Sequence, residues 1–229
     1  MIYRNEEKHL ISFRQYEIIK KRIEKIFKVD NNCSDDKEYL VRSVYFDDYL
    51  KKSVQDNLQG LKERYKYRVR LYNLNTDIIK LEKKVKDNEQ GYKRSVIISK
   101  AEYLEIINGN YDLISERKEP LIEELIFNMK VRLLRPLITI EYRREPYILP
   151  FNNIRVTFDK NITYSRAIFY SEKPLANTPV LDEIVMEIKY NHFLPMYLRK
   201  LFSIDSIQKK SISKYIICYK HSLGEEVQI

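Results

Sequence analysis

Lysine and arginine recur on every second residue in several short segments of this chain, the spacing that places side chains on one face of an extended strand. In 64–72, Arg64, Lys66, Arg68 and Arg70 share one face, and Tyr65, Tyr67, Val69 and Leu71 share the other. In 78–86, Lys80, Glu82, Lys84 and Lys86 stand opposite Ile79, Leu81 and Val85. Arg155, Thr157 and Asp159 alternate with Ile154, Val156 and Phe158, and Glu187 and Lys189 alternate with Met186, Ile188 and Tyr190. Glu6 with Lys8, and Tyr142 with Arg144, have the same spacing. The solvated face of a half-buried sheet also alternates, but it mixes both signs of charge. Here like charges recur in strand after strand, and a glutamate stands two residues before a lysine three times, at Glu6/Lys8, Glu82/Lys84 and Glu187/Lys189. Like charges held that close cost stability unless a polyanion sits among them. If the sheet curls with these faces inward, the lumen becomes a cationic tunnel. Its few carboxylates, Glu6, Glu82 and Glu187, are then placed to hold a divalent metal beside phosphates.

Other chemistries find little support. His9, His192 and His221 have neither metal-ligand spacing nor a Ser/Asp pairing. Four glycines in the whole chain allow neither a P-loop nor a Rossmann turn, so phosphate must be bound by side chains. Nineteen tyrosines could stack single-stranded bases, yet those in the basic strands alternate with the cations and face away from them. A net charge of +9, with Lys and Arg spread along the 229 residues, implies an anionic partner without choosing one. We expect no nucleic acid, no membrane segment in this chain, and no signal peptide at its charged start. Two distant cysteines, Cys33 and Cys218, fit reduced thiols and a cytoplasmic location.

The elements that must position these residues follow from periodicity and caps. Helices are predicted over 13–27, with a Ser12/Gln15 capping box, over 48–58, from Ser99 to Gly109, over 121–134, after Pro195, and over 206–220. Strands are predicted over 3–11, 39–46, 64–73, 78–86, 92–98, 137–148, 154–159, 163–170 and 183–191, with turns at 73–77 and 87–91. Strand follows strand without an intervening helix, which predicts a mostly antiparallel α+β fold in one domain, 1–229.

Nine short motifs occur in a fixed order: Glu6-Glu-Lys8, Ser43-Val-Tyr-Phe-Asp47, Arg64-Tyr-Lys-Tyr-Arg-Val-Arg70, Glu82-Lys-Lys84, Gly91-Tyr-Lys-Arg94, Tyr142-Arg-Arg144, Arg155-Val-Thr-Phe-Asp159, Glu187-Ile-Lys189 and Ser213-Lys-Tyr215. Along nearly the whole chain this order resembles the polyphosphate polymerase domain of the vacuolar transporter chaperone (VTC) family, within the triphosphate tunnel metalloenzyme superfamily. The resemblance implies an antiparallel β-barrel tunnel with helices packed outside. It implies phosphate-gripping roles for Lys8, Arg68, Arg70, Lys84, Arg144, Lys189 and Lys214, and substrate contacts from Tyr142 and Ser213. Lys66, Arg94 and Arg155 are expected to bind substrate beside them. Glu187 matches the glutamate that binds Mn²⁺ or Mg²⁺, with Glu6 and Glu82 as its candidate companions. The implied reaction transfers the γ-phosphoryl of ATP to a growing polyphosphate chain and releases ADP, and a membrane-associated partner is compatible with it. The alternatives are a tunnel triphosphatase, which should open on Glu-x-Glu-x-Lys where this chain has Arg4 two residues before Glu6, and a non-catalytic polyphosphate-binding module. Two departures are visible. Eukaryotic members carry a lysine where this chain has Ser211, beside Lys210, and the phosphate-sensing and membrane modules attached to those members are not expected here.

Overall fold

Alternating sequence can bury one face of a strand only if the sheet finds a partner on that side. In this protein both faces find one. A computed structural model describes residues 5–30, 33, 36–87, 90–203 and 211–225, with the side chain of Gln90 excepted. Nine strands form one sheet: β1 (Asn5–Ile11), β2 (Lys28–Val29), β3 (Tyr39–Asp47), β4 (Glu63–Tyr72), β5 (Asn75–Asp87), β6 (Gln90–Ile98), β7 (Arg135–Leu149), β8 (Ile154–Ser165) and β9 (Ile184–Tyr190). Their order is β1-β9-β8-β7-β3-β4-β5-β6, with β2 added alongside β7, and every pairing is antiparallel. Six helices accompany it: α1 (Phe13–Ile23), α2 (Lys52–Leu58), α3 (Lys100–Ile107), α4 (Pro120–Val131), α5 (Met196–Phe202) and α6 (Lys214–His221). The fold is α+β, as expected. The barrel is a curled half-barrel: β1 and β6 end the strand path, and no ladder joins them among the described residues.

The convex face is covered in two patches. The apolar residues of β4 and β5, among them Tyr67, Val69, Leu71, Ile79 and Leu81, pack under α3 and α4 against Tyr103, Ile106, Leu125 and Met129. Those of β8 and β9, among them Val156, Phe158, Met186 and Ile188, pack under α1 and α5 against Tyr16, Ile19, Ile23 and Leu198. Helix α1 carries the predicted capping box, with Ser12 and Gln15 bonded reciprocally. The concave side is filled over part of its area by α6. Its Tyr215, Ile217 and Cys218 join Val41, Tyr45, Ile138, Ile140 and Val185 in a third core. The rest of the concave face is ionic.

Several predicted boundaries shift for identifiable reasons. The expected strands 154–159 and 163–170 are one strand that ends at Ser165, its register on β7 stepping by one residue between Glu141 and Arg143. Helix α2 starts at Lys52 rather than 48 because Lys51 takes a left-handed φ of 57°. The Asp47 and Asp48 side chains then accept from the amides of Lys52, Ser53 and Val54. The β4–β5 turn is tighter than 73–77: only Asn73 and Leu74, both with positive φ, separate the strands. β2 carried too short a pattern to be predicted. The early part of the helix expected over 206–220, Lys210 beside it, and Arg4 lie outside the described residues. Among the described residues, no helix is long and apolar enough to cross a membrane.

On the convex side of β3, Arg42 is buried to 2% exposure. It pairs with Glu141 on β7 and donates to the carbonyls of Ser171 and Lys173, fastening the segment after β8 to the sheet. Substituting Arg42→Met strands Glu141 as an uncompensated buried charge, so urea unfolding should show a loss of about 3–5 kcal/mol. The double variant Arg42→Met/Glu141→Leu should recover most of that loss, and an unaltered single variant would show that the pair is not structural.

Candidate active site

The ionic part of the concave face surrounds a cavity of about 110 Å³. Eight basic side chains line it: Lys8, Lys66, Arg68, Arg70, Lys84, Arg144, Lys189 and Lys214. Against them stand two carboxylates, Glu6 and Glu187, with Tyr45, Tyr142, Tyr215 and Ser213 completing the wall. Antiparallel register explains the convergence. Across β1 and β9, Glu6 faces Lys189 and Lys8 faces Glu187, a checkerboard of opposite charges. Across β3 and β4, Arg70 faces Ser43 and Arg68 faces Tyr45, while Arg68 faces Glu82 on β5. Arg70 accordingly donates to Ser43 Oγ at 3.0 Å and to Tyr142 Oη at 3.3 Å.

Carboxylates set the cations. Asp159, fully buried on β8, takes a two-pronged hydrogen bond from Arg144 at 2.7 and 2.8 Å and an ion pair from Lys214 Nζ at 2.6 Å. Burial pushes its carboxyl up, but Arg144 and Lys214 outweigh that and hold it below its ordinary range. Glu187 lies 2.6 Å from Lys189 and 3.6 Å from Arg144. Burial opposes its charge too, and Lys189 and Lys8 hold it well below the usual carboxylate range. Glu6 is 3.1 Å from Lys8 and 3.2 Å from Lys84. Its burial and its neighbour Glu187 work against ionisation, and Lys8, Lys84 and Lys189 prevail.

Helix α6 brings the last group. Ser213 caps it, accepting from the Ile216 amide and from Lys66 Nζ at 2.9 Å. Lys214 lies over the Tyr142 ring and Tyr215 stacks on Tyr45 with centroids 4.8 Å apart. Tyr215 Oη donates to Asp47 Oδ2, tying α6 to the cap of α2. Lys66 donates also to Asn57 Oδ1 on α2, but among the described residues no carboxylate partners it. Burial, then repulsion from Lys8, Lys84, Arg64 and Arg68, takes its ammonium well below the ordinary lysine range.

Of the residues expected from sequence, the seven phosphate-gripping cations all line the cavity, as do Lys66, Tyr142, Ser213, Glu6 and Glu187. Three do not. Arg94 sits on the convex face of β6 with Lys83 as its cross-strand partner, and both bond Glu124 on α4. The concave neighbour is Lys93, directly opposite Lys84, a residue the sequence reading passed over. Arg155 faces Lys189 but is held at 3.0 Å from both Asp30 and Tyr39 Oη. Glu82 corrects the expected metal trio: it is fully buried, engaged by Arg68 and Lys93, and held down to about 2 against its burial. Unlike Glu6 and Glu187, it does not line the cavity. Asp159, Tyr45 and Tyr215 were also missed. All three stand inside the motifs 43–47, 155–159 and 213–215, where nothing but their place in the motif marks them.

Among the described residues, no three acidic, histidine or cysteine side chains converge as a preformed metal cluster. Glu6 and Glu187 nonetheless fit a hard divalent cation. Both are held below the ordinary carboxylate range and are close enough to repel, and the buried Oε1 of Glu6, 3.1 Å from Lys8 Nζ, accepts no well-aligned hydrogen bond. Mg²⁺ or Mn²⁺ is commonly held by one or two carboxylates together with substrate phosphate oxygens.

Comparison with known proteins agrees with this geometry. The family model of the VTC domain matches residues 3–223. None of the curated proteins compared with the chain matches it. Among solved structures, a Hippeastrum protein described as a candidate adenylyl cyclase with dominant triphosphatase activity superposes with a TM-score of 0.57 at 11% identity, covering 99% of this chain and 98% of that one. A candidate adenylate cyclase from Vibrio parahaemolyticus gives 0.50 at 11% identity, covering 97% and 98%. These similarities show a shared fold.

Lys84 makes the crowding measurable. Burial, with repulsion from Lys8 and Lys189, moves its ammonium down to about 8 despite the attraction of Glu6. Between about pH 8 and the ordinary 10.5 the unfolded chain therefore binds a proton that the empty folded protein does not, and stability gains with rising pH over that window. The stability difference between wild type and Lys84→Met, followed by denaturant unfolding, should move in favour of the wild type from pH 8 to 10. Tripolyphosphate affinity should move the opposite way, weakening above pH 8 as Lys84 loses its charge. A difference that is flat with pH would mean that Lys84 is not crowded.

Proposed function

The chain belongs to the VTC domain family, and from that premise we propose that it is a metal-dependent polyphosphate polymerase, transferring the γ-phosphoryl of ATP to a polyphosphate end and releasing ADP. The observation that carries the reading is the cavity wall itself, eight cations over two carboxylates. Such an excess suits a ligand with several adjacent negative charges. Phosphoryl transfer asks little of a protein beyond positioning and charge neutralisation.

Arg68 and Arg70 from β4, Arg144 from β7 and Lys214 from α6 are proposed to grip the triphosphate and the acceptor end. Their buried partners Glu82 and Asp159 fix them in place beforehand, so little reorganisation accompanies the reaction. Lys8 and Lys189 flank Glu6 and Glu187, which would hold Mn²⁺ or Mg²⁺. Bound there, the ion would neutralise charge on the phosphate oxygens. The bond formed joins an acceptor phosphate oxygen to the γ-phosphorus, and the bond broken releases the β-phosphate oxygen as ADP. The acceptor oxygen is already ionised and requires no general base. This agrees with Glu6 and Glu187, which are both held below the ordinary carboxylate range and are correspondingly weak bases. Two unbridged cysteines, Cys33 and Cys218, are compatible with work in a reducing compartment such as the cytoplasm.

Hydrolysis of triphosphate is the second reading, favoured by the activity described for the Hippeastrum protein of the same fold. Incubation with ATP and Mn²⁺ should yield ADP and a polymer that a polyphosphatase degrades. Orthophosphate without polymer selects the hydrolase, and phosphate binding without turnover selects a non-catalytic module. Glu187→Gln should lower turnover by about a hundredfold or more, the scale of several kcal/mol of lost charge stabilisation, while tripolyphosphate still raises the melting temperature. Undiminished turnover would place the metal elsewhere.

A further inference from the structure

The concave face carries more positive charge than the cavity encloses. Register sets Lys66 opposite Lys84, and Lys84 opposite Lys93, so three lysines stand abreast on β4, β5 and β6. At ordinary strand spacing the row is about 10 Å wide. One row along, Arg64 faces Lys86. Directly opposed like charges destabilise a sheet.

Elsewhere in the sheet such pairs are provided with an acid. On the convex face of the same strands, Lys83 and Arg94 share Glu124. On the convex face of β7 and β8, the opposed Arg143 and Lys160 share Glu38, and Lys160 also meets Glu145; on the concave face beyond the cavity, Arg155 is held by Asp30. Among the described residues, the lysine row reaches acids only by sharing them with other cations. Lys93 reaches sideways to Glu82, which Arg68 already occupies, and keeps 44% of its side-chain exposure. Lys84 reaches across the lumen to Glu6 and keeps 40%. Leaving the cavity toward β8, the next cation of the wall, Arg155, has an acid in Asp30. Leaving it toward β6, the wall is cationic.

We propose that Lys66, Lys84 and Lys93, with Arg64 beside them, form a second polyanion subsite, continuous with the cavity, which takes the length of polyphosphate that the cavity cannot enclose. The inference rests on the polyphosphate reading above and adds to it the direction in which the chain leaves. An inorganic chain suits this surface better than a nucleic acid. Beside the row, Tyr65, Tyr67 and Tyr92 lie on or pair across the opposite face, and Tyr215, whose ring lies under Lys66, is already stacked on Tyr45.

The test compares tripolyphosphate with long-chain polyphosphate by calorimetry, on wild type and on Lys93→Gln/Arg64→Gln. Glutamine at 93 retains a donor for Glu82. Wild type should bind the long chain at least about fivefold more tightly, and its salt slope should be steeper by about one for each added contact. The double variant should lose that advantage and that extra slope while its tripolyphosphate affinity stays within about twofold. Equal affinity for both ligands in wild type overturns the subsite. So does an equal loss for both in the variant, or tighter binding of a single-stranded oligonucleotide than of polyphosphate. If neither phosphate binds at all, the function proposed above falls first and the subsite falls with it.

Discussion

Like-charge repulsion inside one curled sheet is the constraint on which this molecule is organised. Eight cations share one cavity wall, and a protein cannot hold them there without internal counter-charge. Buried carboxylates supply part of it. Asp159 divides its oxygens between Arg144 and Lys214, Glu82 between Arg68 and Lys93, and Glu187 stands between Lys189 and Arg144. Each carboxylate thereby joins cations from different elements. Asp159 couples β7, β8 and α6, and Glu82 couples β4, β5 and β6. The ionic network serves as fastening for the half-barrel as well as the wall of its site.

This fastening explains why the concave side can be part core and part cavity. Helix α6 lays Ile217 and Cys218 against β3, β7 and β9, and its first turn delivers Ser213, Lys214 and Tyr215 to the ionic edge of that core. The Tyr215–Asp47 bond then ties the same turn to α2. Apolar burial therefore places a cavity-lining lysine, and the lysine's ion pair in turn orients the helix. Removing the apolar contacts or the ion pair would loosen both.

Much of this was legible in the sequence because a period of two fixes which residues share a face, whatever the register. That sufficed for Arg68 and Arg70, for Lys84, and for the Glu-x-Lys pairs at Glu6/Lys8 and Glu187/Lys189. Where the argument needed cross-strand register, it failed. Arg94 and Lys93 are neighbours in sequence, and only the pairing of β5 with β6 shows that Lys93 faces the lumen and Arg94 faces Glu124. Glu82 has the same Glu-x-Lys spacing as the two cavity glutamates, yet it is fully buried between Arg68 and Lys93 and does not line the cavity. The extent of the curl was illegible for a similar reason, since alternation does not say whether the end strands meet. Helix α6 looked like any amphipathic segment, and nothing local marks a helix that packs inside a sheet rather than outside it.

The counter-charge is also incomplete, and the shortfall has a direction. Lys8 keeps its proton firmly because Glu6 and Glu187 outweigh its burial, and Arg68 does so beside Tyr45 and Glu82. Lys66 and Lys84 do not, and both lie on the flank toward β6. Burial and crowding there weaken the hold of both lysines on their protons in the empty protein. A polyanion entering the cavity reverses this: its charge restores the lysines' affinity for protons, and binding becomes proton-coupled. The flank that lacks acids is thus the one whose charge responds to the ligand. A carboxylate added there would stabilise the empty fold and compete with the phosphate chain for the same lysines, so the imbalance is better understood as part of the site than as a defect of the fold.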